Sequence, residues 1–384
     1  MDKDTASSVP SWLGWKGRTS KMRIVRILIM AFLIGLVFRQ ISLVASESSA
    51  SWRQSIQKHT GSLHRSSSPF QIVPENAWTN QCGHYGWQPY KYGKKGRRVY
   101  DLVIVNTELD WLEIRLNTLQ EEVDYFVVLE STRTFTGKPK SLALNDNWER
   151  FEKFRKQIIY HVFEEPSESA MPENWDNWGY ERYQKNAMFT QVLPRLADDR
   201  APVQGDVLLM SDLDEVPKPE SIALIRHCDF PRRLTLKSRF YYYSFQWAAH
   251  NQAWDHPHAT TYQGPNDTIL PEDLRYALSD IAQGETQTID NASWHCSSCF
   301  STIEEMLVKM ASFSHSEYNL DKFRQKPGIV DRMRKGLDLW DRADQTYDRV
   351  SDNMDVPLYV KDNAERFHYL LDRDGPSAGF EDYN

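Results

Sequence analysis

No sustained basic patch, no internal repeat and only one long apolar run occur in these 384 residues, and cysteine appears just four times. With a formal net charge of −7 and no basic stripe, nucleic acid is disfavoured as a ligand. The lack of repetition excludes a solenoid. Cys82, Cys228, Cys296 and Cys299 all lie beyond the apolar run, an even number compatible with two disulfides on the far side of a membrane. Cys296-x-x-Cys299 has no second ligand pair at the spacing a tetrahedral zinc site needs, and no thioredoxin-like context for redox work. The four read as structural disulfides, with the pairing open.

The apolar run, Ile27 to Phe38 without interruption, is shorter than the roughly 20 residues a bilayer needs. Arg26 and Arg39 near its ends can snorkel to the interfaces and recover the length. Lys16, Arg18, Lys21, Arg23 and Arg26 precede or open the segment, whereas Ser46 to Ala50 carries only Glu47. The positive-inside rule then puts the N-terminus in the cytoplasm and the rest across the membrane. A cleaved signal peptide competes with this reading, but the basic region is long and no small-residue cleavage site stands out. The expected layout is a tail over 1–23, a type II signal anchor over 24–45 and a stem over 46–98 rich in Ser, Gln, Gly and basic residues. Residues 99–384 then form one large α/β domain or two closely packed halves. Trp78, Trp87 and Tyr90 suggest that the second half of the stem packs against that domain. Asn266-Asp267-Thr268 and Asn291-Ala292-Ser293 are N-glycosylation sequons, usable only if that portion is lumenal.

What the chain does have is Asp206-Val-Leu-Leu-Met-Ser-Asp212-Leu-Asp214-Glu215-Val-Pro217. An apolar stretch of strand length ends in three carboxylates, and Pro217 stops the ladder. A buried strand delivering Asp-x-Asp to its C-terminal end suits a hard divalent cation, Mn²⁺ or Mg²⁺, held against a diphosphate. The plainer alternative is an acidic turn capping a helix that starts near Lys218. Upstream, Val99–Val105, Tyr125–Leu129 and Ile158–Val162 read as buried strands. Asp110–Leu119, Trp148–Phe154 and Trp178–Leu193 read as helices, the last ended by Pro194. This alternation predicts βαβ units and a mainly parallel sheet. Arg232–Lys237 and Phe240–Trp247 read as further strands, and Ile303–Met310 as a helix. The 13 Trp among 12% aromatics lean towards a carbohydrate partner, since indole and phenol rings stack on sugar faces.

Six stretches, in order, resemble glycosyltransferase family 17. They are Asn106-Thr-Glu-Leu-Asp-Trp-Leu-Glu-Ile-Arg-Leu116, Phe126-Val-Val-Leu-Glu-Ser131, Phe135-Thr-Gly-Lys-Pro139, Asp212-Leu-Asp-Glu-Val-Pro217, Trp294-His-Cys-Ser-Ser-Cys-Phe300 and Arg366-Phe-His-Tyr-Leu-Leu-Asp372. They cover most of residues 99–372, with 254–290 matching least. The resemblance implies a GT-A-like nucleotide-sugar-binding fold and a Golgi address. It also implies inverting transfer of N-acetylglucosamine from UDP-GlcNAc to a mannose of an N-glycan through a β-1,4 linkage. Other readings are a carbohydrate-binding pseudo-enzyme of the same fold, or a transferase acting on another mannose-containing acceptor such as a glycolipid. A glycoside hydrolase needs its two carboxylates on opposite sides of a sugar, whereas Asp212 and Asp214 share one strand end.

On that reading Asp214 is the first choice as direct metal ligand, Asp212 holds the ribose or a metal-bound water, and Glu215 orients them. His368 would return as a late metal ligand. Arg182, Lys185 and Asn186, about one helical turn apart, would face the donor, with a solvated helix face as the alternative. Glu108 and Glu130 stand where a nucleoside would sit, or cap the next helix. The general base that inversion requires is sought in His295 and, second, in Asp273.

Overall fold

The computed structural model describes residues 75–91, 96–166, 176–277 and 284–383. The expected tail over 1–23, signal anchor over 24–45 and stem as far as residue 74 lie outside the described residues. Among those described, no helix is long and apolar enough to cross a membrane. A compact unit runs from Val73 to Asn384 and opens with α1 (Glu75–His84).

One half of the central sheet is parallel and grows from the apolar runs. β1 (Val99–Val105) lies between β2 (Tyr125–Glu130) and β4 (Val207–Met210), and β3 (Ile158–Val162) flanks β2, all parallel. Alternate residues of β1 feed two cores. Val99, Val103 and Val105 pack with Trp111, Leu112 and Leu116 of α2 (Leu109–Leu119), whereas Tyr100 and Leu102 join Tyr180 and Ala187 of α3 (Asn177–Ala187). Each fully buried Val or Leu of this set contributes about 1.5–3 kcal/mol. α3 stops at Ala187 and continues as a π turn over Met188–Val192, short of the helix to Leu193 that the periodicity predicts. Trp148–Phe154 is a 3₁₀ helix.

The other half departs from the expected parallel sheet. β8 (His258–Thr261) runs antiparallel to β4 and to β6 (Arg233–Tyr242), β6 antiparallel to β7 (Ser244–Trp254), and β7 antiparallel to β10 (Tyr347–Arg349). β9 (Thr286–Ser297) lies parallel to β6 and antiparallel to β5 (Glu215–Pro217), completing ten strands in one mixed sheet. An apolar run reports burial but not direction. Here the reversal at Tyr243 is a single residue with φ +68°, far too short for the crossover a parallel pair requires. Tyr243 N–H donates to Ser297 O at 2.9 Å and its hydroxyl to Leu337 O at 2.8 Å, which hold that strained turn. The break expected between Lys237 and Phe240 is absent: Ser238 is buried and donates to His256 O at 2.6 Å.

The described part of the stretch before residue 98 packs on the domain, as Trp78, Trp87 and Tyr90 suggested. Cys82 in α1 is bonded to Cys228, just past the end of α4 (Pro219–His227), and Trp78 stacks on His227 with ring centroids 4.2 Å apart. Trp87 Nε1 donates to Gln287 Oε1 at 2.6 Å, and buried Arg97 lies 4.6 Å from the rings of both Tyr90 and Phe230. This stretch lacks apolar periodicity because indole rings and a disulfide, rather than an amphipathic face, attach it.

That attachment carries two predictions about stability. The Cys82–Cys228 bond closes a span of 146 residues, whereas Cys296–Cys299 closes three. Cys82→Ala/Cys228→Ala should lower the unfolding free energy by about 2–4 kcal/mol in a denaturant titration, and the second pair by much less. Burial, with help from the Arg226 and Arg97 charges, pushes the His227 imidazole down to about 4. The folded state therefore resists a proton that the unfolded chain accepts below about 6.5. Stability should be complete above that pH, fall as pH drops towards 4 by at most about 3 kcal/mol, and then level off. His227→Phe should flatten that slope; an unchanged slope in urea titrations across the window would refute the assignment.

Candidate active site at the end of β4

β4 is buried along its whole length and leads at its C-terminal end into Ser211 and Asp212. The chain turns sharply there: Glu215 N–H donates to Asp212 O at 3.1 Å, and Asp212 N–H donates to Glu215 Oε2 at 2.8 Å. β5 then pairs with β9, which sets His295 directly opposite Glu215.

Glu215 is the fully buried centre of this turn. Arg275, from α5 (Pro271–Tyr276), donates to both its oxygens at 2.8 Å and to Asp212 Oδ2 at 2.6 Å, and Trp254 Nε1 donates to Glu215 Oε1 at 2.6 Å. Burial alone would raise the Glu215 carboxyl, but the charge and hydrogen bonds of Arg275 hold it well below the usual carboxylate range. Asp212 is lowered for a similar reason: burial is outweighed by Arg275 and by Lys185, whose Nζ lies 3.6 Å away. Lys185 is itself 1% exposed and bonded to Glu181 one turn back on α3.

Asp214 is in the opposite condition. Among the described residues its carboxylate has no hydrogen bond and no ion pair, and burial raises its pKa against only partial relief from Lys309 and His295. Lys309 belongs to α6 (Ile303–Ser312), and its Nζ lies 3.5 Å from Glu108 Oε1. Glu108 is cradled by the N–H groups of Asn106 and Thr107, at 3.3 and 2.9 Å. Burial would raise it, but Lys309 and those donors lower it.

The sequence-predicted residues separate into two sets. Asp212, Asp214, Lys185, Glu108 and His295 gather around the end of β4. His295 is 6% exposed and wedged edge-on against Phe240 and Trp254. Its Nδ1 lies 3.7 Å from Glu215 Oε1, with no hydrogen-bond partner among the described residues. Asp273 is half-buried on α5, two residues before Arg275. Glu130 is instead consumed in the fold, accepting from Leu144 N–H at 3.1 Å and Tyr160 Oη at 2.7 Å. Arg182 points outward to Glu272 at 3.3 Å, and Asn186 Oδ1 accepts from the Glu272 N–H at 3.0 Å, tying α3 to the start of α5. His368 is exposed with Nδ1 3.2 Å from Glu365 O, and no three His, Cys, Asp or Glu among the described residues gather at metal-binding distance. The structure thus does not bring His368 to the acidic pair, because the segment 366–371 is anchored by Arg366 on Glu113 and Asp110 of α2. Asn266 is exposed, whereas Asn291 Oδ1 accepts from Lys218 Nζ at 3.0 Å and the Ser293 of its sequon is fully buried. The Cys296-x-x-Cys299 pair forms its own disulfide.

Arg275, Lys309 and Trp254 escaped the sequence reading. The one available signal was Lys309 itself, a cation in an otherwise apolar helix interior, Met306-Leu-Val-Lys309-Met310.

The family model described as glycosyltransferase family 17 matches residues 16–375. The chain belongs to that family. This family 17 chain is 26% identical over 302 residues to the beta-1,4-mannosyl-glycoprotein 4-beta-N-acetylglucosaminyltransferase of Homo sapiens, covering 72% of this chain and 55% of that one. The Rattus norvegicus protein of the same name is 25% identical over the same shares. The family 17 chain therefore spans about half the length of the curated relatives it matches. A solved structure of mannosyltransferase PcManGT from Pyrobaculum calidifontis, in complex with GDP-Man and Mn²⁺, aligns at a TM-score of 0.32 and 11% identity over 68% of this chain and 70% of that one, a likeness too slight to bear on the site.

Proposed function

We propose that this chain is an inverting, metal-dependent glycosyltransferase of GT-A type that moves N-acetylglucosamine from UDP-GlcNAc to a mannose of an N-glycan through a β-1,4 linkage. The observation that carries the reading is the contrast between the two aspartates. Asp212 is neutralised by Arg275 and Lys185, whereas Asp214 holds its charge at the strand end with no partner among the described residues. A half-buried carboxylate with no counter-ion among the described residues fits a site for a cation that arrives with the donor. Asp214 would hold Mn²⁺ or Mg²⁺ directly and Asp212 would support it; the shortage of further protein ligands suits a diphosphate that brings its own oxygens. The bound metal would supply Lewis-acid stabilisation of the negative charge on the departing diphosphate.

The remaining steps belong to the chain's own residues. Arg275 and Glu215 lock the turn, so that Asp212 and Asp214 are fixed before substrate binds, which lowers the reorganisation cost. His295 takes the acceptor hydroxyl proton as the anomeric carbon is attacked. Its imidazole stands against Glu215, which would stabilise the cation formed, in a pocket walled by Phe240 and Trp254. Asp273 is the alternative base. A lumenal location and a type II Golgi anchor are part of the proposal, supported by two disulfides and the exposed Asn266 sequon.

The test is transfer from a panel of UDP-sugars to a mannose-terminated N-glycan with Mn²⁺, read by mass spectrometry. One added N-acetylhexosamine that disappears with chelator is expected. Donor binding without transfer to any glycan or glycolipid would favour a carbohydrate-binding pseudo-enzyme.

A further inference from the structure

Two kinds of cation border the acidic turn, and they are not equivalent. Lys185 and Arg275 are occupied: both bond to carboxylates of the Asp212 side, Lys185 to Glu181 and Asp212, Arg275 to Glu215 and Asp212. Lys309 stands on the Asp214 side, with its side chain 29% exposed, and its one ion pair among the described residues is a 3.5 Å contact with Glu108. An ammonium has three N–H donors, so among the described residues Lys309 keeps donors beyond its contact with Glu108, and its charge acts on Asp214. The approach is fixed at three places along α6 and the segment it covers. Asn106 Nδ2 donates to Ser312 Oγ at 3.1 Å, Thr136 Oγ1 donates to Ala311 O at 3.0 Å, and the Thr302–Glu305 capping box secures the first turn.

Resting on the donor reading above, we infer that Lys309 is a ligand of the donor's terminal phosphate, and that Glu108 is a positioning residue that aims it. A half-buried carboxylate without a partner among the described residues, under the charge of a donor-rich ammonium, is a dipolar receptor. Its carboxylate end would hold a metal ion, and its ammonium end would donate to a phosphate oxygen of the same diphosphate. Glu108 touches neither partner. Held by two backbone N–H groups, it keeps the Lys309 ammonium from swinging out to solvent. The glutamate at the end of the first strand thus acts on the diphosphate through Lys309 rather than on a ribose.

Calorimetric titration of the full-length chain with UDP and with UMP, each in Mn²⁺, tests this, because the two ligands differ by the one phosphate that Lys309 is assigned. Lys309→Met should weaken UDP at least about tenfold while changing UMP by less than about threefold, and Lys309→Arg should recover much of the UDP affinity. Glu108→Gln should show the same selective loss to a smaller degree, and it keeps the question open to measurement should Lys309→Met not fold. Equal loss for both nucleotides, or loss for neither, would overturn the role of Lys309. Absence of binding of either nucleotide by the unaltered chain would instead overturn the donor reading on which it rests.

Discussion

Asp214→Asn should lower the transfer rate constant roughly a thousandfold and leave the fold as stable as before, or more so. The two halves of that expectation come from one observation. Burial raises the Asp214 carboxyl above its ordinary value, and no hydrogen bond or ion pair compensates it among the described residues. A group whose folded pKa is raised costs stability at neutral pH, where the folded state must carry the charge it disfavours. The isosteric amide removes that cost together with the site's capacity for a cation. Loss of activity coupled to a steady or higher melting temperature is the signature of a residue kept for function at the expense of stability. Retained transfer in a melt-matched preparation would remove Asp214 from the mechanism.

Arg275→Met should be damaging in a different manner. It leaves Glu215 fully buried and ionised with only the indole of Trp254 and the Asp212 amide as donors, and breaking a buried pair from one side costs about 3–5 kcal/mol. The double substitution Arg275→Met/Glu215→Met should restore most of that stability, because replacing both partners of a buried pair with apolar groups is close to neutral. Activity should not return with it, since Asp212 would still have lost the guanidinium at 2.6 Å that sets its orientation. Urea titrations of the four members of this cycle, run beside transfer assays, separate the two contributions. A stable single mutant would show that water or relaxation replaces Arg275 in the turn.

These two residues also mark how far the sequence could be read. Asp214 was legible because its signal is local: an apolar strand, then carboxylates, then a proline. β1, β3 and β4 were legible in the same way, each a largely apolar run, broken only by Asp101 in β1 and His161 in β3, whose observed limits agree with those expected. Arg275 was not, because nothing in Pro271–Tyr276 distinguishes an arginine that enters a buried turn from one on a solvated helix face; only the tertiary approach of α5 to β5 does. The antiparallel half was illegible for a related reason. Strand direction is set by the reversal at Tyr243, a tyrosine in a left-handed conformation where local propensity would call for glycine. His368 illustrates a different limit. A histidine within a family motif drew attention, whereas its neighbour Arg366 is the residue the fold uses, clamping the last segment to α2 through Glu113.

The bond between Cys82 and Cys228 has a consequence for how the chain is made. A ribosome adds roughly 5–20 residues each second, so Cys228 emerges about 7–30 s after its partner, once β1 to β4 have all been synthesised. Throughout that interval the Cys82 thiol waits with no native mate, exposed to capture by any other thiol nearby. Cys296 and Cys299, by contrast, arrive almost together and can close on their own. Recombinant production should therefore be limited by the long-range pair, and an isomerase supplied during synthesis should raise the yield of native chain more than one added after release.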